Sequence, residues 1–325
     1  MSLIRRVPAA ALRRLRRRVP RPTRPAILMY HRIAVETFDP WGLAVSRAHF
    51  AEQLEWLSRN RTVLSLADFA AKHGDGTLPA DAIALTFDDG YSCAAEVAAP
   101  MLERVGLQAT VFIPPDLIER GQPFWWDELK ELVLDHDSDV LIVEGAQVGL
   151  GARCADDRHW KPAAKPGTPR QAAFHRIWKS LREKSPAEID AAMTAIRRQS
   201  SAEDSDARPM SPAQVRETAS ALIEFGSHAL AHPWLSGLTH EEKAREIRDS
   251  VGRCEKLSGT RPATFAYPYG NFDAESERMV AEAGFACACA TLGRSVGAGS
   301  RLFALPRVQV GDWSARELGI ALAAA

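Results

Sequence analysis

Ala82-Ile83-Ala84-Leu85-Thr86-Phe87-Asp88-Asp89-Gly90 is an apolar run that ends abruptly in two adjacent carboxylates and a glycine. A run of this length bounded by turn residues reads as a buried strand, and in α/β folds ligands gather at the carboxyl ends of the strands. Asp88 and Asp89 therefore stand where chemistry is usually done. Neighbouring side chains on extended backbone diverge, so one acid can hold a metal while the other handles a proton. The plainer alternative is a polar turn in which Asp-Gly supplies the tight geometry.

Working outward, the same rhythm recurs. Ala26 to Arg32 reads as a first strand with His31 at its carboxyl end, and Ala109 to Ile113 as another, closed by Pro114-Pro115. Between the acids and that strand, residues 94–105 predict a helix interrupted or restarted at Pro100 and stopped by Gly106. Strand, helix, strand, helix implies a parallel α/β layout. Residues 121–208 break it: Phe124 to Val133 is amphipathic, a Pro- and Gly-bearing loop follows, and helices are expected near 171–181 and 186–197. This stretch reads as a helical insertion without a strand pair able to extend a sheet. Phe124, Trp125 and Trp126 within it could stack on a sugar, but helix packing is favoured.

The rhythm resumes with a capped helix start at Ser211-Pro212 and the strand Leu222 to Gly226, followed at once by Ser227-His228-Ala229-Leu230-Ala231-His232-Pro233. Histidines at i and i+4 on a helical turn share one face and can grip one divalent ion. His228 and His232 also follow a strand end, as the paired acids do. A charged helix over 241–257, a strand Ala263 to Tyr267 running into Pro268-Tyr269-Gly270, a helix over 274–283, a strand carrying Cys287 and Cys289, and the short strand 305–310 complete the chain.

Composition bounds the rest. At 325 residues and 46% hydrophobic, the chain can bury a barrel-sized core. The net charge is +0, but residues 1–24 hold nine arginines and no acid, so the remainder carries −9, which argues against nucleic acid as a partner of the folded body. Five cysteines without a CxxC read as reduced thiols, with Cys287 and Cys289 packed in a core. No stretch approaches the ~20 apolar residues of a membrane span. The expected location is cytoplasmic. Leu12, Leu15 and Val19 beneath the arginines permit a helix docked peripherally on the anionic inner membrane face, or equally a solvated tail.

Thr86-Phe87-Asp88-Asp89-Gly90, then Ser227-His228 with His232, then Tyr267-Pro268-Tyr269-Gly270, resemble in order and context the polysaccharide deacetylases, the NodB-homology or family 4 carbohydrate esterases. The resemblance implies a distorted (β/α) barrel of about seven strands over residues 25–325, with the insertion near 121–208. It implies a metal-dependent hydrolase removing N-acetyl groups from N-acetylhexosamine units of a cell-surface glycan or a lipid-linked precursor. Carried over residue by residue, Asp89, His228 and His232 become the ligands of a divalent ion, zinc first and cobalt or nickel next. Asp88 becomes the base, and the backbone N–H of Tyr269 the oxyanion donor. An amide is a poor electrophile, so such an ion is needed to polarise it and to acidify a water.

Two positions depart from the family pattern. Ala266 stands where an arginine is usual, and no histidine follows His240 to act as a late general acid. Phe265-Ala266-Tyr267-Pro268-Tyr269-Gly270 and Leu28-Met29-Tyr30-His31-Arg32 resemble the branch acting on β-1,6-linked N-acetylglucosamine exopolysaccharide. There the acid comes from the first strand. On that reading His31 protonates the leaving amine and Arg307 orients Asp88, although a surface or helix-dipole role for Arg307 stays open. The rival expectation is a glycan-binding protein that keeps the barrel and no longer turns over.

Overall fold

A computed structural model describes residues 24–201, 205 and 207–325, so the arginine arm, apart from Arg24, lies outside the described residues. Among the described residues, the main sheet runs through β1 (Ala26–Tyr30), β2 (Thr62–Leu64), β3 (Ala82–Phe87), β4 (Ala109–Ile113), β5 (Ile223–Ser227), β6 (Thr264–Ala266), β7 (Cys287–Ala290) and β8 (Leu305–Gln309). Neighbours follow the order β1-β8-β7-β6-β5-β4-β3, all parallel, and β1 pairs back onto β3 from Ala26↔Ile83 to Tyr30↔Phe87. Seven strands thus close a barrel. The short β2 shares an edge of β3 with β4, pairing with residues 82–84 while β4 takes 86–87.

A barrel this narrow is filled by its own inward side chains, and small residues suit it. Ala84, Ala266, Cys287 and Cys289 cluster there with Ile27, Phe112 and Leu305, all of them fully buried. Gly226 is required for Phe112: a Cβ at 226 would lie 2.4 Å from the Phe112 ring and 2.9 Å from Thr264 Oγ1. The opposite faces of the strands carry larger groups, such as Leu28, Tyr30, Ile83, Leu85 and Phe87, which pack with Phe50, Leu54 and Leu57 of the helix Arg47–Asn60. Cys287 and Cys289 are core residues, and burial pushes the Cys289 thiol up to about 12.

Pro100 restarts a helix. A wide π-type turn over Ala94–Ala98 leads into the helix Ala99–Val105, in whose first turn the proline's missing N–H is harmless. Between β4 and β5 come the helices Trp125–Leu134, Pro169–Leu181 and Pro186–Arg197. They share an apolar cluster that includes Leu129, Val133, Phe174, Ile177, Leu181 and Ile196. A strand pair does occur here, the antiparallel hairpin Val140–Val143 with Ala146–Gly149, but it forms a sheet of its own beside the barrel sheet. Its short, half-polar strands bury only Leu141 and Val143, which explains why alternation alone gave so weak a signal.

Candidate metal centre

Because the barrel strands are parallel, residues just past their carboxyl ends meet on one rim. His31 follows β1, Asp88 and Asp89 follow β3, His228 follows β5 and Tyr269 lies three residues past β6. At β3 the ladder extends one residue further, with the Asp88 N–H donating to Tyr30 O at 2.9 Å. Then Asp89 and Gly90 both turn left-handed, at φ 70°. Asp tolerates that region better than most residues. Gly90 is required, since a Cβ there would sit 2.8 Å from Ile113 Cγ2. The left-handed step at Asp89, more than strand alternation, separates the two carboxylates.

The histidine pair corrects one expectation. His228 to Trp234 form an irregular turn, with Ala229 and His232 at φ 58°, and no helical turn links the two imidazoles. Pro233 disfavours the α conformation for His232, so a helix through it is blocked. A buried acid holds the loop instead: Glu246 Oε2 accepts the N–H groups of Leu230 and Ala231, each at 3.0 Å. Ser227 meets Ser250 at 2.7 Å from the same helix, His240–Ser258.

Asp89, His228 and His232 come together as a buried trio whose potential ligand atoms all lie within 4.8 Å of one another. Asp89 Oδ1 is 3.4 Å from His228 Nε2 and 3.3 Å from His232 Nε2, yet it makes no hydrogen bond to either. Those separations are too long for good hydrogen bonds and suit a shared cation: bonds of ~2.0–2.1 Å at tetrahedral angles place ligand atoms ~3.4 Å apart. His228 Nδ1 is 2.7 Å from Ala266 O, which fixes Nε2 as the lone-pair nitrogen facing the trio. The residue present thus fits a divalent ion by donor set, spacing and an orphaned buried oxygen. Burial drives the Asp89 pKa upward, but the contacts from His228 and His232 outweigh it and hold the carboxyl below its ordinary range. Burial also pushes the His232 imidazole down, keeping it neutral as a ligand must be.

Asp88 faces a different partner. Arg307, on β8 and fully buried, donates Nη1–H to Asp88 Oδ1 at 2.6 Å and Nη2–H to Oδ2 at 2.7 Å, with a further bond to Thr86 Oγ1 at 3.2 Å. Burial alone would raise Asp88; the Arg307 charge and hydrogen bonds overcome it and keep the carboxylate ionised. His31 Nε2 lies 4.0 Å from Asp88 Oδ2. The Tyr269 ring packs 4.4 Å from His232 and its backbone is left-handed at φ 56°. All seven residues singled out in the sequence therefore border one site.

The sequence did not reveal the wall behind it. Trp126 stacks on Phe124 at 4.8 Å and 3° and packs 4.8 Å from His232, so the aromatic group does pack the helix, but against a candidate ligand. Its Nε1–H donates to Tyr91 Oη at 2.8 Å, and Tyr91 donates to Asp127 Oδ2 at 2.7 Å. The only sequence signal was the aromatic run itself.

The sequence profile of the polysaccharide deacetylases matches residues 75–138 and 173–288, more than half of the chain. The chain belongs to the polysaccharide deacetylase family. Solved structures agree on the fold. A deacetylase of Streptococcus pyogenes, PplD in complex with acetate, superposes with a TM-score of 0.62 at 18% identity over 93% of this chain and 99% of that one. IcaB from Ammonifex degensii gives 0.56 at 18% identity over 93% and 97%. A de-N-acetylase from Aggregatibacter actinomycetemcomitans gives 0.52 at 14% over 90% and 98%. No curated protein matches the chain in sequence. For this polysaccharide deacetylase, no described helix is long and apolar enough to cross a membrane.

Proposed function

We propose that this deacetylase is a metal-dependent hydrolase that removes N-acetyl groups from N-acetylhexosamine units of a cell-surface glycan or its lipid-linked precursor. The observation that carries the reading is the orphaned Asp89 Oδ1 between two imidazole nitrogens, beside a second carboxylate held apart by Arg307. A divalent ion bound by Asp89, His228 and His232, zinc in our reading with cobalt or nickel as substitutes, would polarise the amide carbonyl and acidify water.

The chain's own groups supply the rest. Asp88 is ionised and aimed by two charge-assisted bonds, so it takes the proton of the attacking water. Its lowered basicity makes it a weak base that is always ready. Arg307 is a positioning residue, acting through Asp88. His31, within 4.0 Å of Asp88, protonates the departing amine, and the backbone N–H of Tyr269 stabilises the oxyanion. The first-strand histidine, the FAYPYG turn and the Arg307 contact together support the exopolysaccharide branch. The rival binding protein drew its support from Ala266 and the absent late histidine, and Arg307 and His31 beside Asp88 weaken that support. Docking of residues 1–24 on the inner membrane face, in the cytoplasm, belongs to this proposal as well.

The test is acetate release from a panel of free and lipid-linked N-acetylhexosamines before and after chelation. Activity should vanish with the metal and return with zinc or cobalt. Acetate release that resists exhaustive chelation would overturn the metal reading, and glycan binding without release from any substrate would favour the silent binder.

A further inference from the structure

Beyond the reacting centre, a cation is mounted on two indoles that border Tyr269. Tyr269, which packs on His232, meets Trp178 of the insertion at 6.1 Å and Trp234 of the loop after β5 at 5.7 Å. The Arg182 guanidinium lies over both indoles, 5.0 Å from the Trp178 ring and 4.5 Å from that of Trp234. Its side chain keeps 23% of its surface exposed. Ring contacts occupy the faces of a guanidinium and leave its in-plane N–H donors available. Arg182 spends one such donor on Glu183 Oε1 at 3.1 Å, and its buried Nε has no hydrogen-bond partner among the described residues. Glu183 is 56% exposed, and a pair so exposed is weak.

The helix Pro169–Leu181 adds charge of the same sign through Lys179, one turn before Arg182 at the C-cap. Burial first, then Lys179 and Arg182, hold the His175 imidazole below its ordinary range. Aromatic surface for a sugar face and a partly exposed guanidinium tied to only one weak carboxylate are what an anionic saccharide needs.

We propose that Arg182, seated on Trp178 and Trp234, binds an anionic substituent, a phosphate or a carboxylate, carried by the substrate next to the N-acetylated sugar. The location rests on the hydrolase reading above, but the recognition can be read without turnover. The full chain carrying Asp88→Asn, loaded with zinc, is titrated calorimetrically with three ligands: N-acetylglucosamine 1-phosphate, a glucuronate-containing N-acetylglucosamine disaccharide, and neutral N,N′-diacetylchitobiose. At least one anionic ligand should bind ~10- to 100-fold tighter than the neutral one, the range of one charge-assisted contact. Which of the two does so tells phosphate from carboxylate.

Arg182→Ala should erase that preference, Arg182→Lys should keep part of it, and Glu183→Gln should enlarge it by freeing the donor. Equal affinity for all three ligands would overturn the proposal. So would a preference that survives Arg182→Ala, because the anion would then be held by the metal. Should Arg182→Ala fail to fold, Glu183→Gln decides alone: an unchanged preference sinks the idea. Absence of acetate release from every substrate would sink the hydrolase reading and leave this result intact.

Discussion

Arg307→Gln tests whether the pairing with Asp88 organises the site. The substitution deletes two short bonds to a carboxylate only 3% exposed, and a third to Thr86. Removing one partner of a buried pair strands the other charge, at a cost of roughly 3–5 kcal/mol. With Asp88 already changed to Asn, no stranded charge remains, so Arg307→Gln should then cost ~2–3 kcal/mol less, a coupling typical of contacting residues. Urea unfolding at pH 7 in the presence of EDTA, with the m-value held constant across variants, measures both legs of the cycle without contributions from metal binding. Activity should be non-additive as well. Asp88→Asn should lower acetate release by ~10²- to 10⁴-fold. Arg307→Gln on that background should add less than about threefold, because a positioning residue has nothing left to position. Losses that multiply in full, or a single-variant destabilisation under about 1 kcal/mol, would show that Arg307 does not act through Asp88.

Three other outcomes follow from the same geometry, and a fourth from the arginine content of residues 1–24. Zinc at 100 times its dissociation constant should stabilise the fold by about 2.7 kcal/mol, and His228→Gln should abolish most of that shift in thermal melting. Burial lifts Asp127 to about 6, against the opposing influence of Arg32, Tyr91 and Lys130 and with a small push from Asp89. A raised acid favours the folded state while it is protonated, so this contribution is fully present only below its ordinary value of 3.8 and is lost progressively as pH rises through about 6. Between pH 5 and 7.5 wild type should therefore lose roughly 1–1.5 kcal/mol relative to Asp127→Asn, read from melts of both proteins across that range. Gly226→Ala should destabilise by about 1–3 kcal/mol or more by overpacking Phe112, and Phe112→Leu should recover part of it in chemical denaturation. Deleting residues 1–24 should release the protein from anionic liposomes in sedimentation, given ~1 kcal/mol per arginine near the surface.

Much of the barrel could be read along the chain because parallel strands buried on both faces appear as uninterrupted apolar runs, and β3 to Asp88-Asp89-Gly90 is the clearest of them. Chemistry at strand ends is equally local: a polar group that follows such a run must emerge on the rim. What stayed hidden depends on packing across large sequence separations. Trp126 reaches His232 only because the insertion folds back over the barrel mouth. Glu246 looked like one more charge on a helix, until its carboxylate is seen capping the histidine loop. The HxxxH spacing misled because four residues can bring two imidazoles together by a helical turn or by two left-handed steps, and Pro233 disfavours the first.

Arg307 makes the sharpest case for reasoning in three dimensions. Along the sequence it lies 219 residues from Asp88, and Ala266 marks the position where the family's arginine is missing. Around the barrel the distance is short: Ile27 on β1 registers with Ala84 on one side and with Arg307 on the other, so β8 is separated from β3 by a single strand. An inward arginine on β8 can therefore reach the carboxylate that caps β3. The vacated position has its own use, because the Ala266 carbonyl orients His228 through Nδ1. An arginine carried on β8 leaves β6 free to present only backbone to His228, while Asp88 keeps a guanidinium partner that Asp89 does not share. If that division of labour is right, restoring arginine at 266 should not rescue Arg307→Gln, since a guanidinium there would crowd Phe112 and the His228 contact before it reached Asp88.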